Sequence, residues 1–467
     1  MYLNAWLQVG KDKLKILVYA NDIVLFIDTN LAMQLLLNAT TDYSVDFDVE
    51  FGIDKSNVLI VNGESEDDGD QWYLNNLILK RVYEYQYLGV LFTENGCSKG
   101  KNQRLFKAQQ WYGQISSAIK LRASKYEIVR ELWKVVAVPG IMYAMNVLPW
   151  TAEEIKKLDV VQNKVGRVGL GANRYTAVEA IRGDMGWSSF DERMMKGVLI
   201  YKKRLEDMDE CRWAKIVYRA FSQQGKFVKA SMRYALKSGF IKSRETGPAG
   251  ILKEWRFLKE GRIGYDWTLD KWKKEVNSQV KIFGLEVWRV KMSSKVTLRY
   301  YMEKKIPCKE LFYDGSFASE LLFKARTLSL EVNARTYRFS ESGSKECKAC
   351  LNNIDETVEH VINSCPAYGC ERDILISKTI EAVGAVTWSR ECPNYEGQLK
   401  LILGFSVETT PATIDASKTF LLSAWMRRKV IESRSASDWE EGSTLSVNEY
   451  NEELTLSADE FLEDDGI

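Results

Sequence analysis

Two groups of residues in this sequence have types and spacings that could do chemistry, and they suit different metals. The first is Asn21-Asp22, between the apolar, β-branched runs Lys15-Ile16-Leu17-Val18-Tyr19-Ala20 and Ile23-Val24-Leu25-Phe26-Ile27. Such a pattern is the signature of a β-hairpin with a tight turn. It places an amide and a carboxylate where they could face a hard divalent cation; the plainer alternative is a buried hairpin whose Asn-Asp pair only makes the turn. The second group is Cys347-Lys348-Ala349-Cys350, His360 and Cys365, a C-x2-C-x9-H-x4-C spacing. Zinc takes four such ligands in a tetrahedron, and a C-x2-C turn offers two thiolates from one loop. His360 is the only histidine of the chain. Cys370 is an alternative ligand and Cys392 a remote one, and the plain alternative is a set of reduced structural cysteines.

Positioning the hairpin requires a scaffold. Leu31, Leu35, Leu36, Ala39 and Tyr43 recur at spacings that predict one apolar face of a helix over Thr29–Val45, packed beneath the hairpin. Phe51-Gly52-Ile53-Asp54-Lys55-Ser56 leads into a strand over Val58–Val61, and Glu64 to Asp70 reads as an exposed acidic loop. Tyr87-Leu88-Gly89 reads as a turn, with Gly89 permitting a close backbone approach. Further along, helices predominate. Thr246-Gly247-Pro248-Ala249-Gly250 reads as a linker, and Trp255, Trp267, Trp272 and Trp288 as core anchors.

At 467 residues the chain has room for two or three domains. It contains no apolar run of about 18 residues, so no membrane span is expected. No basic-then-apolar leader follows Met1, so secretion is not expected either. Eight cysteines are too few for a disulfide scaffold of this size and suit a reducing compartment. The net charge of +1 hides a strong division. Residues 1–98 hold fifteen acidic and six basic residues, a net of −9, and Asp438 to Ile467 holds eleven acids and no base. Residues 99–437 therefore carry +21, which suits a polyanionic partner. Lys99, Lys101, Arg104, Lys107, Lys120, Arg122, Lys125 and Arg130 fall in one stretch against the single acid Glu127, with Trp111 and Tyr112 interleaved. Positive charge at helical spacing would contact phosphates without sequence preference.

In their order, Tyr19-Ala20-Asn21-Asp22, Lys55 before a strand and Tyr87-Leu88-Gly89 resemble the back half of the reverse transcriptase palm of non-LTR, LINE-type retrotransposons. The family's hairpin reads Tyr-Ala-Asp-Asp, so Asn21 stands where it has a metal-binding aspartate. The resemblance continues through Leu132-Trp133, Pro139, Tyr143, Gln162-Asn163-Lys164 and Gly183-Asp184-Met185-Gly186-Trp187. It reaches the cysteine–histidine motif with Glu356-Thr357 before His360 and Tyr368 and Arg372 after it.

The resemblance implies an α+β fold: a partial palm over 1–98, a helical thumb over 99–190 and a helical connector over 191–340. A zinc knuckle over 341–373, a short helical cap over 374–432 and an acidic disordered tail over 433–467 would follow. It implies Asn21, Asp22 and Lys55 at the catalytic positions and Tyr87 and Gly89 at the primer end, with magnesium as the family's catalytic ion and zinc in the knuckle. The partners would be RNA and DNA of the primer–template type, in the nucleus or cytoplasm. The resemblance also implies that the chain begins partway through a palm. With an amide at position 21 and the upstream aspartates outside it, the chain is expected to be an inactive fragment. The alternative is a non-catalytic or domesticated zinc-containing RNA- or DNA-binding protein.

Overall fold

Tyr19 and Asp22 pair across a two-residue tip of Ala20 and Asn21, so the organising hairpin forms as its residue types require. The computed structural model describes residues 7–63, 71–119, 124–221, 226–237, 267–340, 343–350 and 352–437. Lys120, Arg122, the Glu64 to Asp70 loop, the Thr246–Gly250 linker, Trp255 and the tail from Asp438 lie outside them. The fold is mixed α+β and mostly helical, with small sheets.

The strands pair locally. β1 (Leu7–Val9) and β2 (Asp12–Leu14) form one hairpin, and β3 (Ile16–Tyr19) and β4 (Asp22–Leu25) the next. β5 (Asn57–Val58) runs parallel to β7 (Leu77–Arg81), which pairs antiparallel with β6 (Trp72–Leu74). β8 (Glu84–Tyr87) and β9 (Val90–Thr93) close a fourth small sheet. The helices in chain order are α1 (Asn30–Phe47), α2 (Ser98–Ala118), α3 (Lys125–Leu132), α4 (Val138–Met142), α5 (Ala152–Leu170), α6 (Val178–Met185), α7 (Phe190–Asp207), α8 (Trp213–Ala220) and α9 (Lys226–Lys237). Beyond them lie Leu269–Ser293, Phe317–Arg326, Asn333–Ser340, Gly369–Val383, Ala385–Glu391, Tyr395–Ile402 and Pro411–Ser437. The last of these continues past Ser433, where the sequence reads as tail.

The chain divides into two compact units. The first takes residues 1–114, 133–162 and 188–286, and the second 115–132, 163–187 and 287–467. In the first unit, Thr29 caps α1 by accepting from the Ala32 N–H, and Asp48 ends it in the left-handed conformation. The helix packs on β6, where Gln34 exchanges two 2.9 Å hydrogen bonds with the Tyr73 backbone. Its buried residues are Ala32 and Leu37, and Leu37 shares a core with Val58, Trp72, Leu74 and Leu79. This corrects the predicted face: Leu31 is 77% exposed and Tyr43 is exposed too. The helix follows the β5–β7–β6 sheet, so its apolar stripe is rotated from the one the hairpin would demand. The hairpin is not buried either, since Ile16, Val18, Tyr19 and Ile23 are exposed.

In the second unit one hydrophobic core gathers Leu322, Val358, Cys347, Cys365, Leu403 and Phe420. Helix Pro411–Ser437 packs along both Gly369–Val383 and Phe317–Arg326. Cys347 and Cys365 thus sit inside this core, with Cys350 packed against it. No helix among the described residues is long and apolar enough to cross a membrane.

Candidate functional site

The four zinc-type ligands converge. Zinc bonds of about 2.3 Å to sulfur and about 2.0–2.1 Å to nitrogen put tetrahedral ligand atoms roughly 3.5–3.8 Å apart. Cys347 Sγ and Cys365 Sγ stand 3.8 Å apart, and Cys350 Sγ lies 3.4 Å from His360 Nε2. All four ligand atoms fall within 4.8 Å of one another, so the group could hold a metal such as zinc. Cys370 and Cys392 stay outside it.

Local structure explains the spacing. The Cys347 N–H donates to Ile354 O at 2.8 Å, closing the loop that carries the C-x2-C turn. His360 begins a π-type turn, His360–Ser364, in which the Cys365 N–H reaches back to His360 O at 2.8 Å. The wide turn brings residues five apart onto one side, which is what H-x4-C needs. Arg372 pins the turn, its Nε donating to Ile362 O at 2.8 Å and its Nη2 to Cys365 O at 2.6 Å. His360 Nδ1 lies 3.1 Å from Ser364 Oγ. Donation from Nδ1 to that hydroxyl leaves Nε2 with its lone pair toward the sulfurs. Hydrogen bonds from the Cys365 thiol and then from the Cys350 and Ala349 N–H groups pull the Cys347 thiol down to about 5. The same sharing pushes Cys365 up. A thiolate is therefore already favoured at Cys347, as metal binding requires. Glu356 serves the core: buried, it receives Arg428 Nε at 2.9 Å and Nη2 at 2.8 Å, and the Asn333 N–H at 2.7 Å.

The polymerase-type residues lie in the first unit. Ala20 takes a positive φ of 55° while Asn21 does not, a turn whose first position is usually glycine. Asn21 sits at the exposed tip, and Asp22, also exposed, is the first residue of β4. Lys55 ends an exposed 3-10 turn, and its carbonyl accepts from Tyr85 Oη at 3.4 Å. Leu88 and Gly89, at φ 46° and 72°, make the turn between β8 and β9. Burial, then the Asp22 carboxylate, raise the Tyr87 phenol. Arg104 Nη2 donates to Gly89 O at 2.7 Å and Tyr143 Oη to Leu88 O at 2.8 Å, with the guanidinium 5.2 Å from the Tyr143 ring centre. Asp22 belongs to no group of three or more ligating side chains among the described residues.

Of the six described residues in the basic run predicted to face phosphates, four are buried or half-buried against partners in the fold. Lys101 is buried, bonded to Pro149 O at 3.0 Å and to the Glu154 carboxylate at 2.8 Å. Arg104 is buried on the Tyr-Leu-Gly turn. In the second unit Lys125 pairs with Glu320 at 2.7 Å, and Arg130 donates to Met185 O at 3.0 Å and pairs with Glu131. Lys99 is exposed beside Glu84, and Lys107 is exposed. Charged ends on long stems suit tertiary acceptors as well as water, and composition does not separate the two.

Sequence reasoning did not find a buried charge network in the second unit. Asp184, fully buried, accepts from Tyr301 Oη at 2.5 Å, Tyr313 Oη at 2.6 Å and Lys304 Nζ at 3.0 Å. The oxygen that accepts from Tyr313 lies 3.5 Å from Arg326 Nε, and Arg326 Nη2 reaches Glu310 at 3.1 Å. Lys304 also pairs with Glu310. Burial opposes the Asp184 charge, but Lys304 and Arg326 hold its carboxyl below the usual range. Two acids and two bases balance, as a water-poor interior demands. The one sequence cue was Asp184 within a Gly-Asp-Met-Gly-Trp run.

Comparison with known protein families finds no model that matches the chain, and no curated protein matches it.

Proposed function

We propose that the chain derives from the reverse transcriptase of a non-LTR retrotransposon and acts as a zinc-stapled, nucleic-acid-binding protein that does not itself synthesise DNA. The observation that carries the reading is the pair of tight turns in the first unit. Tyr19-Ala20-Asn21-Asp22 forms a hairpin tip, and Tyr87-Leu88-Gly89 forms a turn fixed by Arg104 and Tyr143. In this reading residues 1–98 are palm-like, the helices after them thumb- and connector-like, and RNA and DNA are the partners.

The family's chemistry needs two magnesium ions about 4 Å apart, held by carboxylates. The residues at the hairpin do not fit that demand. Asn21 offers an amide dipole where the ion needs a full negative charge. Asp22 has Tyr19 as its cross-strand neighbour and belongs to no group of three or more ligating side chains among the described residues. Zinc fits the Cys347, Cys350, His360 and Cys365 set, where it supplies a structural cross-link between the C-x2-C loop and the π-type turn.

Primer extension with magnesium or manganese tests the reading, run beside binding of a labelled RNA–DNA hybrid. Wild type and Asn21→Asp are expected to bind and not to extend, because metal stabilisation worth several kcal/mol is absent in both. Extension by wild type above a no-enzyme control overturns the inactivity, and failure to bind the hybrid at low salt overturns the nucleic-acid reading.

A further inference from the structure

With Lys101, Arg104, Lys125 and Arg130 turned inward, helix α9 offers a separate group of exposed bases. Its twelve residues, Lys226–Lys237, contain four bases and no acid. Lys229, Arg233 and Lys237 are all exposed. They stand at i, i+4 and i+8, hence on one face, about 6 Å apart along the axis.

The opposite side of the helix is committed. Ser231 and Tyr234 are fully buried and Ala235 nearly so, and α9 packs along α7 in the same unit. This fixes the rotation of the helix and keeps the three cations outward. The side chains are also steadied. The Arg233 guanidinium lies 5.1 Å and the Lys237 amine 5.8 Å from the Tyr234 ring centre, and Lys237 makes a 3.0 Å ion pair with Asp191. Side chains restrained beforehand lose less freedom on binding.

We propose that this face of α9 is a docking surface for the sugar-phosphate backbone of a nucleic acid, an inference that rests on the nucleic-acid reading above. A duplex presents one negative charge per roughly 1.7 Å of axis, so Lys229 and Arg233, about 6 Å apart along the helix, meet phosphates in any register, while Lys237 is shared with Asp191. The surface therefore gives affinity and orientation without base preference. A lipid surface is the poorer match. A helix that lies in a membrane interface needs a free apolar face, whereas Ser231, Tyr234 and Ala235 of α9 are buried within the unit.

The test is a salt series of anisotropy measurements on the full chain with a short labelled RNA–DNA hybrid of arbitrary sequence, beside phosphatidylserine vesicles. Lys229→Ser/Arg233→Ser should reduce the slope of log affinity against log salt by about 2, roughly 0.9 for each phosphate that is no longer neutralised. The charge-keeping variant Lys229→Arg/Arg233→Lys should retain the wild-type slope, as should Lys378→Ser, an exposed lysine of the second unit. Thermal melts of each variant distinguish a removed charge from an unfolded chain. Hybrid binding with an unchanged slope in the double Ser variant overturns the surface and leaves the nucleic-acid reading standing. No hybrid binding by wild type overturns that reading, and vesicle binding in its place assigns the face to lipid.

Discussion

Whether the metal centre holds an ion turns on the nitrogen His360 points at it. That imidazole is buried and is oriented by Ser364, and the chain has no other histidine. Purified protein is expected to hold about one equivalent of zinc, and His360→Ala to lose it, as read by elemental analysis. Ser364→Ala leaves four ligands but releases the ring, so affinity should fall roughly 10- to 100-fold in a competition titration with a chelating dye. Retention of zinc by His360→Ala would place the ion elsewhere. These ligands are legible in the sequence because each half of the site closes locally, three residues apart in the loop and five in the turn. Lys101 misleads for the opposite reason: its acceptors, Pro149 O and Glu154, are about fifty residues away and leave no local trace.

Between elements, turns are more readable than faces. The Tyr19–Asp22 hairpin and the Tyr-Leu-Gly turn follow from their residue types. Asn75-Asn76, both at positive φ between β6 and β7, is an equally plain hairpin signal. The core face of α1 does not follow from spacing alone. Several apolar stripes compete on a leucine-rich helix, and the sheet that selects one of them is assembled from residues 57–81. The same logic changes what Arg104 is expected to do. A buried guanidinium donating to Gly89 O holds a turn, so Arg104→Ala should lower stability by about 1.5–3 kcal/mol in chemical denaturation. Arg104→Lys should recover little of it, since one ammonium cannot both donate to Gly89 O and stack on Tyr143. The salt slope for nucleic-acid binding should not change in Arg104→Ala. A reduced slope with unaltered stability would return Arg104 to the phosphate-facing role predicted from sequence.

On the scale of the whole molecule, the fold decides which basic residues of 99–437 are spent on internal acids, while the net charge of that stretch stays at +21. Of the positive charge in residues 99–437, Lys304 and Arg326 neutralise Asp184 and Glu310 inside the second unit, and Arg428 neutralises Glu356. Such pairs cannot be counted from a sequence, because their members lie up to about 140 residues apart and become partners only in the folded chain. Arg326 is the most constrained member. It is fully buried, with Phe405 and Phe312 ring centres 4.3 and 4.8 Å away, and its Nη1 donates to Leu403 O at 2.6 Å. Arg326→Met keeps much of the volume but leaves Asp184 and Glu310 with Lys304 as their only cationic partner in the network. Breaking a buried pair in this way should cost about 3–5 kcal/mol, more than removal of any exposed pair on the surface. Asp184→Asn should also destabilise, by stranding positive charge. If the residues act as one network, the double variant should cost less than the two single variants summed, by about 0.5–3 kcal/mol in a double-mutant cycle. Strict additivity in that cycle would mean that Arg326 is held by its rings and the Leu403 carbonyl alone, and that the charge balance contributes nothing to the fold.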